Sequence, residues 1–181
     1  MPTWAIILII IVAAMAIAAA CWILAGRRRS QHLRGRFGPE YDRVIQENGN
    51  PRRAEQILET REKRVEQLHV RPLIPTEREH FVDAWQKDQS RFVDDPQGAV
   101  LEADHLVSEV MEARGYPMSN FEQRAADISV DHPHLVENYR AAAEIALRQK
   151  SGEATTEDLR QAMVCYRKLF DELLETIEVR R

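Results

Sequence analysis

Cysteine is scarce: Cys21 and Cys165 are the only two in 181 residues, one inside the first apolar run and one near the far end. They offer no disulfide framework, and such usage fits a reducing compartment. The chain also lacks a glycine-rich phosphate loop, a Cys-x-x-Cys pair and a Gly-x-Ser-x-Gly elbow. The usual marks of nucleotide binding, thiol redox chemistry and hydrolase catalysis are therefore missing together, and no enzyme activity is expected. Nor does any stretch alternate apolar and polar residues between hairpin turns, so no strands are expected and the fold class reads as all-α. Charge is absent too where the chain begins: no charged side chain precedes Arg27.

What stands there instead is a run of apolar residues closed by Arg27, Arg28 and Arg29. A spanning helix needs about 20 apolar residues. Trp4 and Trp22 lie eighteen residues apart, about 27 Å along a helix, so each indole can rest at one water interface. A secretory leader would carry its positive charge before a shorter apolar run, and here the charge follows a longer one. Ala18-Ala19-Ala20-Cys21 resembles a lipoprotein processing site, but Ala18 stands where a larger aliphatic is usual, and Trp22-Ile23-Leu24 continues the apolar run. The pattern therefore predicts an uncleaved transmembrane helix, with an envelope-exposed domain after leader cleavage as the alternative. Arg27, Arg28, Arg29, Arg34 and Arg36 crowd one flank, which places the amino terminus outside and the following domain in the cytoplasm. The arginines can also touch anionic headgroups at about 1 kcal/mol each. Setting topology is the simpler role. Ala14 with Ala18, and Ala16 with Ala20, have the small-xxx-small spacing that permits a homodimer through the transmembrane helix.

Beyond the anchor the charge is split. Residues 27–71 hold twelve Arg or Lys against seven Asp or Glu, a net of +5, and residues 72–181 hold thirteen against twenty-two, a net of −9. An acidic distal part repels phosphate backbones, so no nucleic-acid partner is expected. The division reads as 1–29 anchor with basic flank, 30–71 basic juxtamembrane helical segment and 72–181 acidic helical bundle. Punctuation predicts helices over Pro39 to Asn48, stopped by Gly49, and over Pro51 to Leu68, capped by Asn50. Arg71-Pro72-Leu73-Ile74-Pro75 reads as a linker. A capping box at Thr76 and Glu79 opens a helix to about Val93, with Phe81, Trp85 and Phe92 on one face. Asp94-Asp95-Pro96 starts another, ended by Gly115. A box at Ser119 and Glu122 starts a short helix to Ile128, and Asp131-His132-Pro133 starts the next, ended by Gly152. Thr155 or Thr156 caps the last helix, whose stripe Leu159, Met163, Tyr166, Phe170, Leu173, Leu174 and Ile177 is the strongest in the chain.

The best chemical constellation is Asp131-His132-Pro133-His134. A His-x-His pair can ligate a metal, with Asp131 orienting an imidazole. At a helix start, however, side chains two apart diverge by roughly 200°. The plainer reading is a cap, in which Asp131 or His132 accepts from free amides. His80 and His105 read as surface histidines, Asp94 and Asp95 as a cap rather than a cation site, and Cys165 as a buried small hydrophobe. Residues 114–134 gather aromatics, caps and histidines, which makes Tyr116, Pro117, Phe121 and His134 candidates for contact with a partner. The competing role for Tyr116 and Phe121 is to plug the bundle. No cofactor is expected.

Arg91-Phe92-Val93-Asp94-Asp95-Pro96, Arg114-Gly115-Tyr116-Pro117 and the run from Phe121 to Pro133 resemble a family of bacterial proteins with one N-terminal membrane segment and a helical domain. Its members are described as hypothetical membrane or secreted proteins. The resemblance covers most of residues 31–178 and implies a bacterial source; it carries over no ligand, activity or catalytic residue. The expectation is a single-pass protein that acts as a protein-interaction or scaffold module at the bacterial inner membrane. The alternative is a metal-dependent or other enzyme centred on Asp131, His132 and His134.

Overall fold

In the computed structural model the described residues are 3–175, with side chains from Ile11 onward, and they contain eight α-helices and no strand. The chain divides into two compact units, Met1–Leu58 and Glu59–Arg181.

In the first unit, α1 (Thr3–Phe37) runs for 35 residues without a break, about 53 Å. It does not stop at the arginine cluster: arginine, glutamine and leucine are good helix formers, and the last turns bury Leu33 and Phe37 completely. Gly38, at φ 48°, turns the chain into α2 (Pro39–Asn48), and Gly49, at φ 63°, ends it by donating its N–H to the Ile45 carbonyl at 2.8 Å. The Asn50 side chain then accepts from the Arg52 amide at 2.9 Å and caps α3 (Pro51–Glu66). Tyr41, Val44, Ala54 and Leu58 are buried with Leu33 and Phe37. Across the three helices, the Tyr41 hydroxyl donates to Glu55 Oε1 at 3.0 Å and the Ser30 hydroxyl donates to the same oxygen.

The second unit holds the rest of α3, then α4 (Pro75–Arg91), α5 (Pro96–Ala113), α6 (Phe121–Asp131), α7 (Val136–Lys150) and α8 (Thr156–Leu174). α8 packs against both α5 and α7, α4 packs against α5, and α6 against α7. The apolar stripe read from the sequence is its core: Leu159, Met163, Tyr166, Phe170, Leu173 and Leu174 are all buried, while Ile177 lies outside the described residues. Each such side chain contributes about 1.5–3 kcal/mol when fully buried. Trp85 of α4 stacks on Phe170 at 4.5 Å between ring centroids. The α8 cap is Thr155, whose hydroxyl accepts from the Asp158 amide at 3.2 Å while the Asp158 carboxylate accepts from the Thr155 amide at 2.9 Å.

Several boundaries move for identifiable reasons. The compact units divide within α3 and not at the prolines after Arg71. Leu68, Val70 and Leu73 pack against the second unit's core, and the Arg71 amide donates to the Arg114 carbonyl at 2.9 Å, so the linker is bound into that unit. α4 starts at Pro75, which fits the first helical position and keeps Ile74 extended before it. Glu77, rather than Glu79, is therefore the carboxylate that reaches back, accepting from the Ile74 amide at 3.1 Å. Asn120, not Ser119, caps α6 by accepting from Gln123 at 2.9 Å. That helix continues past Ile128 because Val130 is also buried. Asp131 and His132 consequently close α6 instead of opening α7, which begins at Val136 after a turn in which Leu135 donates to the His132 carbonyl at 3.0 Å.

Candidate functional site

Two features carry the functional reading, one in each unit. The first is α1. Ile11, Val12, Met15, Ile17, Trp22, Ile23 and Leu24 are all exposed, Trp22 by 77%. The stretch Ile11–Phe37 has a most apolar window of mean hydropathy 1.6, no part of which is buried in the protein. A helix that is apolar all round and uncovered is unfavourable in water and stable in hydrocarbon. By length and composition α1 can cross a membrane, and a signal sequence has the same length and composition. Arg27, Arg28 and Arg29 are exposed directly after the apolar part. Trp4 lies on α1, and its side chain is outside the described residues.

The second is the corner between α6 and α7, where it meets α8 and the loop after α5. The His132 ring is 1% exposed; its Nδ1 lies 3.2 Å from Glu172 Oε1 on α8. With a carboxylate there, Nδ1 carries the proton, and Nε2 is left buried without a partner. Burial holds the imidazole below its usual pKa, and nearby Arg114 adds to that, while Glu172 pulls the other way. His134 is mostly exposed, with Nε2 3.9 Å from the same Glu172 oxygen. Asp131 is engaged elsewhere, its Oδ2 accepting the Tyr116 hydroxyl at 2.8 Å. Burial, and then Asp131, push the Tyr116 phenol well above its ordinary value.

Asp131, His132 and His134 therefore do not converge on one ion. Among the described residues no three His, Cys, Asp or Glu side chains group as a metal site. The cap reading of this segment also fails, because Asp131 sits at the end of one helix and not at the start of the next. For the four partner-contact candidates the outcome is divided. Tyr116 is 2% exposed and belongs to the core, so packing takes it. Phe121 is half-buried, its ring centroid 4.9 Å from that of Tyr139. Pro117 is half-buried, and His134 is exposed. Met118, in the same 114–134 region and next to Pro117 in the chain, is 50% exposed.

The residues missed are those whose role depends on distant chain. Arg114 reads in sequence as the last residue of a helix, yet its guanidinium is buried and donates to the Leu173 carbonyl at 3.0 Å and the Arg71 carbonyl at 3.4 Å. Arg78 donates to the next α8 carbonyl, Leu174, at 3.3 Å. Two cations thus meet the unpaired carbonyls and negative dipole end of α8. Glu172 has no sequence signal either, being one acid among many on the polar side of α8. Other local readings hold. His80 and His105 are exposed, Asp95 caps α5 by accepting from Gly98 at 2.8 Å, and Cys165 is buried. No family model, curated protein or solved structure matches this chain.

Proposed function

We propose that the chain is a single-pass bacterial inner-membrane protein whose C-terminal helical unit is held on the cytoplasmic side as an interaction module for another protein. The uncovered apolar surface of α1, followed at once by exposed Arg27, Arg28 and Arg29, supports this reading most strongly. The arginine side is the one that stays in the cytoplasm under the positive-inside bias. His134, exposed after α6, and Met118, exposed in the loop before α6, are the side chains offered to the partner.

Photo-crosslinking residues placed at Met118 and His134 in the full-length protein test the reading in cells. The expected result is one discrete protein adduct from these positions and none from exposed Leu147 on α7. Equal smears from all three positions would contradict an interaction surface. Intact mass of the same preparation checks the anchor: retention of the full chain agrees with an uncleaved helix, and loss of about 2 kDa would mean a processed leader.

A further inference from the structure

α4 carries a side chain that helical propensity and packing leave unexplained. Asp88 is 4% exposed, and neither of its carboxylate oxygens has a hydrogen-bond partner. A buried carboxylate without a donor is costly, and the large majority of buried polar side-chain atoms in natural proteins have a partner. The nearest arginine is committed elsewhere: Arg91 donates to Asp95 Oδ2 at 2.6 Å, and Asp95 Oδ1 caps Gly98. Lys87 lines the same space without bonding to Asp88.

That space is a cavity of about 380 Å³ between α4 and α5, bounded by His80, Asp83, Lys87, Asp88 and Arg91 of α4 and by Glu102 of α5. Its volume is at the lower end of the range for small-molecule sites. We infer that this cavity binds a small organic cation, an alkylguanidinium or alkylammonium group that pairs with the Asp88 carboxylate. Asp83 and Glu102 make the wall around it negative, and Lys87 and Arg91 at the same wall disfavour a ligand with several charges. Guanidinium suits the site best, since its parallel N–H groups match the two free oxygens of one carboxylate.

The occupant displaces a proton. Burial, and then the field of Glu102, raise the Asp88 carboxyl to about 7; Arg91 opposes this and Asp95 adds to it. His80, Asp83 and Lys87 are the other titratable groups facing the cavity. Binding therefore tightens about tenfold between pH 6 and pH 8, as the ionised fraction of Asp88 grows, and releases a proton at the lower pH.

Calorimetric titration of the full-length protein in lipid nanodiscs with n-butylguanidinium tests this, with n-butanol as the uncharged control. The expected result is saturable one-to-one binding at pH 8, about tenfold weaker at pH 6, no heat from butanol, and at least tenfold loss in Asp88→Asn. The asparagine keeps the shape and removes the unpaired charge, so the variant is expected to fold. Should it fail to fold, Glu102→Gln carries the test with an expected severalfold weakening. Absence of saturable binding at pH 8, or unchanged affinity in either folded variant, would overturn the assignment.

Discussion

Nδ1 of His132 lies 3.2 Å from Oε1 of Glu172, so a buried imidazole at the α6–α7 corner is tethered to the last turn of α8. Burial selects the neutral ring, and the tether sets its tautomer, with the proton toward Glu172. Burial and Arg114 hold the folded pKa below the ordinary imidazole value. For a base held down in this way, the contribution to stability is complete above the unfolded value and is lost as pH falls through the folded one. The melting temperature of the second unit is accordingly expected to fall from pH 7 toward pH 5, and His132→Gln, which cannot titrate, is expected to flatten that dependence. Parallel pH profiles for the two proteins would contradict a buried neutral histidine.

Arg114 is the larger structural commitment. Its guanidinium closes the carbonyl end of α8 and braces the linker backbone at Arg71, while the Arg71 amide donates back to the Arg114 carbonyl. Arg114→Ala is expected to cost about 3 kcal/mol in denaturant unfolding, since charged donors to buried carbonyls are worth about 1.5–3 kcal/mol each. Arg114→Lys is expected to recover less than half, because an ammonium cannot reproduce the planar fork. Full recovery by lysine would reduce the role of Arg114 to charge alone.

Two glycines should respond in opposite directions. Gly115 has φ 95°, and a Cβ there would stand 2.7 Å from the His69 carbonyl oxygen. Gly115→Ala is expected to destabilise by about 1–3 kcal/mol. Gly35 lies inside α1 with open space around it, so Gly35→Ala is expected to stabilise by about 0.5–1 kcal/mol. Thermal unfolding of each variant followed by circular dichroism decides both signs.

The linker before α4 is fixed by charge. The Arg71 guanidinium donates to both oxygens of Glu77, at 2.8 and 2.7 Å, and with the Ile74 amide this lowers the Glu77 carboxyl to about 2. For an acid held down in this way, the support is present above its unfolded pKa and disappears as pH falls toward 2. Glu77→Gln is expected to speed amide hydrogen exchange in the first turn of α4 at pH 7, and to match the parent protein near pH 2. Identical exchange at pH 7 would mean that Pro75 alone sets the helix start.

Much of the fold was legible because helix punctuation is local. Pro39, Gly49, Asn50, Asp95 and Thr155 act where their chemistry places them, and the α8 stripe needed only a period of 3.6 residues. The misplacements came where two local signals competed. Pro75 outranked Thr76 as the start of α4, and buried Val130 drew α6 past the point where Asp131 looked like a new beginning. The site was much less legible. Arg114 with Leu173 and His132 with Glu172 pair residues far apart in sequence, and a lone glutamate on a polar helix face announces nothing. Asp88 was equally hidden, since only packing shows that an aspartate among exposed neighbours is buried and unpartnered.

The sidedness of the membrane is the most direct question. Paired reporter fusions at the carboxyl terminus, a phosphatase active only outside the cytoplasm and a fluorescent protein active only within it, answer it in bacterial cells. Fluorescence without phosphatase activity, in a membrane fraction that resists alkaline extraction, is the expected result for an anchor held by Arg27, Arg28 and Arg29. Phosphatase activity without fluorescence, or release of the protein by alkali, would contradict it.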